Sequence, residues 1–312
     1  MTDGAKGLGA MVAAATIWGL SGMYYKALDT VAPLEVLSHR ILWSAVFFGG
    51  ILCLRRQAGA VWHAFADRRV ILAILVAAVM IAANWFLFIH SIHSGHALEA
   101  SLGYYCFPLV AVALGFFFFR ERFSLWQGVA IALATFAVVV LTFGLGKPPW
   151  IALVLAGTFG CYGLVKKRLT IEPMVSVFVE TLLFVPLVAG FLAWAHFGNG
   201  GAGDDWGRFG QDTSASLLLV GSGPLTATPL ILMSYAAQRV NYATLGLVQY
   251  LNPTLQFTVA VAVFGEAFTP WHAIAFPLIW SALAIYAVAS FVQQRSARRR
   301  SMSVATSGMT VK

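Results

Sequence analysis

The sequence predicts an all-α integral membrane protein of ten transmembrane helices, arranged as two inverted five-helix repeats. Three observations predict it: apolar runs almost end to end, a one-sided distribution of basic residues, and an internal repeat. The 312 residues are 60% hydrophobic and 10% charged, against about 25% charged in a soluble domain. A span needs about 20 residues to cross the hydrocarbon, which leaves room for about ten spans and short loops. Little is left over for a soluble catalytic domain.

Hydropathy places the helices at 8–28, 35–54, 70–92, 97–119, 124–142, 149–166, 173–196, 214–238, 241–264 and 271–292. The first is too long for a signal-peptide core and lacks a clear cleavage site, so it reads as a span. Pro33, Pro148, Pro149, Pro173 and Pro270 stand at or near span starts, where a missing N–H costs least. The sixth carries Gly157-x-x-Gly160-x-x-Gly163, a spacing for close helix packing. Gly198–Gly210 is the longest outer loop and reads as flexible. Cys53, Cys106 and Cys161 each fall inside an apolar run and read as small buried hydrophobes without disulfide or metal spacing.

An even number of spans puts both termini on one side, and the charges choose the cytoplasm. That assignment gives the cytoplasmic segments Lys6, Arg55, Arg56, Arg68, Arg69, Arg120, Arg122, Lys166, Lys167, Arg168, Arg239, Arg295, Arg298, Arg299, Arg300 and Lys312. Those 16 face only Lys147 and Arg208 opposite, with Lys26 and Arg40 inside spans. Such asymmetry is the positive-inside pattern of a multi-pass protein of a bacterial-type inner membrane. The net charge of +8 and the basic tail Arg295–Arg300 therefore read as orientation and lipid contact, with no nucleic acid as partner.

A shift of 145 residues brings Leu102, Tyr105, Pro108, Phe119, Glu121, Phe123 and Trp126 onto Leu247, Tyr250, Pro253, Phe264, Glu266, Phe268 and Trp271. Trp18-Gly19-Leu20 meets Tyr162-Gly163-Leu164 at nearly the same shift. The chain divides accordingly into residues 1–146, residues 147–294 and a basic cytoplasmic tail, 295–312. Each repeat holds five spans, so the second enters the membrane from the opposite side. Inverted halves form two related half-sites that exchange access between the faces, which is transporter geometry.

Several stretches resemble the RarD type of the EamA branch of the drug/metabolite transporter superfamily. They are Glu35-x-x-x-His39-Arg40-Ile41-Leu42-Trp43-Ser44, Asn84-Trp85, Leu98-Glu99-Ala100-Ser101-Leu102-Gly103-Tyr104, Tyr162-Gly163-Leu164, Glu180-Thr181, Thr226-x-x-Pro229-Leu230 and Gly246-Leu247-Val248-Gln249-Tyr250-Leu251-Asn252-Pro253. The resemblance spans residues 6 to about 292. It implies ten helices, cytoplasmic termini and a central cavity from which a small metabolite is exported, such as an amino acid or an amphipathic drug-like solute. Two positions depart from the pattern: His90 stands for a tryptophan and Phe107 for the asparagine before Pro108, while the second half keeps Asn252.

The residues themselves offer three candidate constellations. Glu35, His39 and Trp43 share one face of the second helix at i, i+4 and i+8. Glu35 begins near the outer surface, where solvation is one reading and a Glu35–His39–Arg40 network is another. Arg40, about 100° away, suits a substrate carboxylate because its planar fork binds that group in two places. An unperturbed histidine titrates in the physiological range, which makes His39 the candidate for proton coupling. Glu180, two turns into the seventh helix, has no neighbouring cation in the sequence, which suggests an ion pair with Arg40 or Lys26. Gln249, Asn252 and Gln256 form a polar stripe beside Tyr250 and Pro253. Their counterpart carries Ser101, Tyr104, Tyr105 and Pro108, and each proline frees a carbonyl one turn back. These symmetric sites mark the expected cavity. Trp43, Trp85, Tyr105 and Tyr250 are candidates to stack on the solute, with Asn84 orienting it.

His90-x-x-His93-x-x-His96 has ligand-like spacing but falls at a helix end, and reads as loop histidines. Glu121 and Glu266 sit at helix ends beside aromatics and read as structural. No Walker A sequence is present, so a secondary transporter without cofactor or metal is expected, not an enzyme. A membrane enzyme acting on a lipid-linked substrate is the alternative, with Glu35, His39 and His90–His96 as its candidate cluster. A channel is a third reading, disfavoured by the lack of a repeated charge ring.

Overall fold

A computed structural model describes residues 3–119, 124–146, 148–198, 206–240 and 242–308. The sequence candidates Glu121, Arg120, Arg122, Lys147 and Lys312 lie outside these residues. The described chain is helical: α1 (Asp3–Lys26), α2 (Pro33–Leu54), α3 (Ala58–Ala66), α4 (Arg68–His93), α5 (Ala97–Phe119) and α6 (Leu125–Leu145). There follow α7 (Trp150–Arg168), α8 (Pro173–Phe197), α9 (Thr213–Ala237), α10 (Tyr242–Gln249), α11 (Leu251–Thr258), a π-helix (Val259–Val263) and α12 (Pro270–Gly308).

Local chemistry sets these limits. Pro33 and Pro173 open α2 and α8 in the first helical positions, where proline lacks only a donor that would be orphaned anyway. Asp67 and Asp212 cap α4 and α9 by accepting amides of the first turn. Ser124 and Gln127 form a reciprocal capping box on α6, and Gly146 ends that helix at φ +71°.

Among the described residues, seven helices are long and apolar enough to cross a membrane: α1, α2, α4, α6, α8, α9 and the Pro270–Ala289 part of α12. On α4, Leu72, Leu75, Val76, Val79 and Phe86 stand exposed along one helical stripe, a surface that lipid covers. The single span expected over 241–264 is instead divided at Tyr250 into α10, α11 and the π-helix. Pro253 explains the division, because it has no N–H to offer the Gln249 carbonyl one turn back. Helix α3, with Trp62 exposed, was not anticipated, since nine residues are too short for a hydropathy window. One expectation needs correction: Cys53 is exposed and Cys161 half-buried, leaving Cys106 as the buried thiol. Helix α12 continues through 295–308, the described part of the basic segment.

The chain forms two compact units, Met1–Phe107 with Trp150–Ala267, and Pro108–Pro149 with Phe268–Lys312. In the second, α6 packs on α12 and Gly144 lies directly against the Trp271 indole. In the first, α2 packs on α8 and α9, α1 on α9 and α11, and α4 on α7. Small residues permit these approaches. A Cβ on Gly223 would lie 2.5 Å from the Trp43 backbone, and one on Gly19 2.6 Å from Leu255 Cβ. Gly103 likewise lies against Ala152 and Leu155, whereas Gly157 faces open space. Replacing Gly223 by Val is expected to cost roughly 1–3 kcal/mol through overpacking, read as a lower thermal midpoint in detergent; Gly157→Val serves as the neutral control.

Candidate functional site

Helix α2 carries two buried polar faces. On one, Arg40 is buried in the membrane-spanning core with 6% of its surface exposed. A charge there needs partners, and aromatic rings supply most of them. The guanidinium carbon lies 4.1 Å from the Trp85 ring centre on α4 and 5.4 Å from Tyr25 on α1. Nε donates to Thr226 Oγ1 on α9 at 2.9 Å, and Thr226 in turn donates to the Ser222 carbonyl. The Nε bond leaves the two terminal NH2 groups, the fork that grips a carboxylate, outside the described hydrogen bonds. Four helices thus hold one cation by stacking and a single neutral hydrogen bond.

Asn84, one residue before Trp85, is fixed at both ends of its amide. Its Nδ2 donates to the Leu155 carbonyl and to Thr158 Oγ1, both at 3.0 Å, and Oδ1 accepts from Tyr104 at 3.0 Å. From Tyr25 a file of ring contacts passes through Phe88, Tyr104 and Phe159 to Tyr162, with centres 5.8–6.0 Å apart. Phe107, at one departing position, packs on Phe159 at 4.6 Å, and His90, at the other, stacks on Phe86.

The file ends at a second charged group. Glu180 Oε1 accepts from Lys166 Nζ at 2.6 Å and from Ser176 at 2.9 Å, while Tyr162 donates to Oε2. This corrects the expected partner: Glu180 pairs with Lys166, not with Arg40 or Lys26. Lys166 sits in the last turn of α7, and its long stem reaches back into the helices. Lys26 pairs with Asp29 at 3.6 Å, with 44% of its side chain exposed, and so is not a cation within the core.

The other face of α2 meets the loop before α9. Glu35 is 1% exposed, which corrects the expectation of a solvated carboxylate. Its Oε2 accepts the Gly207 amide at 2.9 Å, and the Arg208 and Phe209 amides face the same carboxylate. Phe209 stacks on His39 at 4.8 Å and reaches Trp43 at 6.4 Å. Glu35 Oε1, His39 Nδ1 and Trp43 Nε1 are buried without hydrogen-bond partners. Among the described residues no hydrogen bond or ion pair joins Glu35, His39 and Arg40, so the network considered from the sequence does not form.

The polar stripe turns partly upon itself. Gln256 Nε2 donates to Asn252 Oδ1 at 2.9 Å, and Gln249 Oε1 is buried and unpaired. Tyr105 donates to Thr254 Oγ1 at 2.9 Å, and Thr254 donates to the Tyr250 carbonyl, which ties α5 to α11. No described contact brings Gln249, Tyr250 or Asn252 to Arg40. Glu266 accepts the Ala97 and Leu98 amides at 2.6 and 2.8 Å, a structural cap on α5. His93 spans the Ile89 and Leu28 carbonyls and His96 meets Ser94. Among the described residues no three metal-ligating side chains gather. A groove of about 620 Å³ beside His63, Asp67, Arg68 and Ile171 contains none of the predicted residues.

Residues 5–143 match the EamA-like transporter family. An uncharacterized transporter of Vibrio cholerae is 39% identical over 298 residues, covering 95% of this chain and 97% of that one. Protein RarD of Salmonella typhimurium is 38% identical and that of Escherichia coli 37%, each over 91% of this chain and 95% and 94% of theirs. A solved crystal structure shares the fold at a TM-score of 0.59 and 17% identity, over 90% of this chain and 97% of that chain. These relatives and the apolar helices define a multi-pass inner-membrane transporter. The chain belongs to the EamA family of the drug/metabolite transporter superfamily, and within it to the RarD type.

Proposed function

We propose that this protein is a secondary carrier that exports a small carboxylate-bearing metabolite, of the size of an amino acid or an amphipathic drug-like solute, by alternating access. The observation that carries the reading is Arg40, a buried cation held by Trp85, Tyr25 and Thr226 with no carboxylate among its described partners. Such a group is costly in hydrocarbon and becomes useful when a transient anion supplies the missing partner. Trp85 and Tyr25 stack on the solute's body, Asn84 holds the Tyr104 edge, and the burial of Arg40 corresponds to an occluded conformation.

In this reading ten spans cross the membrane as two inverted repeats, 1–146 and 147–294, with α10, α11 and the π-helix together making the ninth. Both termini and the basic 295–312 segment face the cytoplasm, where anionic lipid attracts them. Tyr105, Gln249, Tyr250 and Asn252 line the path at the broken helix, where unpaired backbone groups suit an aqueous cavity. His39, Trp43 and Glu35 close its outer end, while Lys166 and Glu180 close its cytoplasmic end.

Purified protein in proteoliposomes, tested for counterflow with labelled amino acids and aromatic acids, examines this directly. Saturable exchange without chemical change of the solute is the expected result. Chemical conversion of the solute would indicate an enzyme, and non-saturating flux a channel.

A further inference from the structure

On the carrier reading above, we propose that Glu35 is the proton-binding site of the transporter and that its protonation releases the loop closing the outer end of the Arg40 site. Glu35, His39 and Trp43 present three buried polar atoms without partners on one stripe of α2. All three lie beneath or beside the loop segment Trp206–Gly210. Among the described residues, Glu35 is the one member of the stripe hydrogen-bonded to that segment, through the Gly207 amide. Two further amides and the Arg208 side-chain charge also face it. Successive backbone N–H groups turned on one anion are an anion-binding concavity, and here the anion belongs to the protein.

The loop is shaped to make that contact. Gly207 has φ +73°, and a Cβ there would lie 2.7 Å from the Ala195 carbonyl oxygen. Glycine therefore lets the chain pass between α8 and Glu35. Gly210 at φ +84° then turns the chain toward α9, where its amide donates to Ser216. Between them Phe209 lies over His39 and Trp43 as a stopper. Trp206 packs edge-on against Phe191 at 5.4 Å, which anchors the segment to α8.

The charge of Glu35 holds this arrangement. Amide hydrogen bonds to a carboxylate are roughly twice as strong as those to a neutral acceptor. A proton arriving from the outer water neutralises the carboxylate, removes its attraction for the three amides and Arg208, and leaves a neutral carboxyl group. Among the described residues, three other titratable groups stand near. His39 lies one turn along α2, and His196 lies in the last turn of α8, beside Gly207. Asp212 is committed to the Ser214 and Ala215 amides. Acid outside thus opens the outer gate, and the proton returns to the outer water when the loop closes again.

The test is a Phe209→Cys reporter in a background with Cys53, Cys106 and Cys161 replaced by alanine, in lipid nanodiscs. Its labelling by a membrane-impermeant maleimide is divided at each pH by the rate of a free thiol peptide. Labelling is expected to rise about tenfold or more from pH 8 to pH 5, and Glu35→Gln is expected to give the fast rate at every pH. A rate flat with pH overturns the proposal, as does a Glu35→Gln chain labelled as slowly as its parent. The pH scan needs no change at Glu35, so a poorly folding variant does not remove the test. It also needs no substrate, so its failure is separate from failure of the carrier reading. In proteoliposomes, counterflow indifferent to the pH on the outer-loop side overturns the gating even if the loop opens.

Discussion

Arg40→Gln is expected to reduce saturable counterflow by about a hundredfold, because truncating one side of a buried hydrogen-bonded charge pair costs roughly 2–5 kcal/mol. The glutamine keeps a hydrogen bond for Thr226 and removes the charge, so the fold survives while the anion loses its partner. Arg40→Lys is expected to fall between. It keeps the charge but loses the flat guanidinium that lies 4.1 Å over Trp85 and the fork that grips two oxygens. Trp85→Ala is expected to cost less, about tenfold, in line with a desolvated cation–π contact. These outcomes are read from initial rates across substrate concentration, with circular dichroism and the thermal midpoint as checks on folding. Equal loss in all three would indicate a packing role for Arg40.

Lys166→Met is expected to destabilise the protein by roughly 3–5 kcal/mol, or about 10 °C in the thermal midpoint. The loss leaves Glu180, 2% exposed, with only the Ser176 and Tyr162 hydroxyls. Glu180→Gln is expected to cost less, because Lys166 retains 20% side-chain exposure and its stem can turn its ammonium outward. The double change Lys166→Met with Glu180→Leu should recover most of the stability, since two apolar side chains replace a pair that was costly to desolvate. If the single changes cost the same and the double change adds them, Lys166 and Glu180 act independently.

The periodicity of apolar residues made most helix limits legible. The start of α5 at Ala97 and the bounds of α8, the latter within one residue, agree with hydropathy, because Gly95, Pro173 and Gly198 punctuate the chain there. The division of the ninth span was marked by Pro253, yet hydropathy averages over a window longer than α10 or α11. The candidate site was legible as a set of residues but not as contacts. Arg40 and Trp85 were singled out separately, and only packing of α2, α4 and α9 shows that they stack and that Thr226 completes the group. Tyr25 stood among many aromatics with nothing to distinguish it.

Lys166 was misread because a basic residue at a helix end satisfies the topology pattern whichever way its side chain turns. Its neighbour Ser176, one turn before Glu180, was the available signal. Phe209 and Gly207 were passed over because a glycine-rich stretch reads as a flexible connector. The alternation Gly207, Phe209, Gly210 was its one hint of a shaped loop. The carboxylate that holds it lies 172 residues away in sequence, beyond the reach of any local pattern.

The central claim, a carrier whose buried Arg40 reads a carboxylate, is tested most directly by counterflow of matched solutes. Each acid in the panel is paired with its own neutral amide, identical in the ring or chain that stacks on Trp85. The wild-type protein should exchange the acid at least about thirtyfold faster than the amide, and Arg40→Gln should exchange both at the same low rate. Equal exchange of acid and amide by the wild-type protein would contradict the claim, as would discrimination that survives in Arg40→Gln.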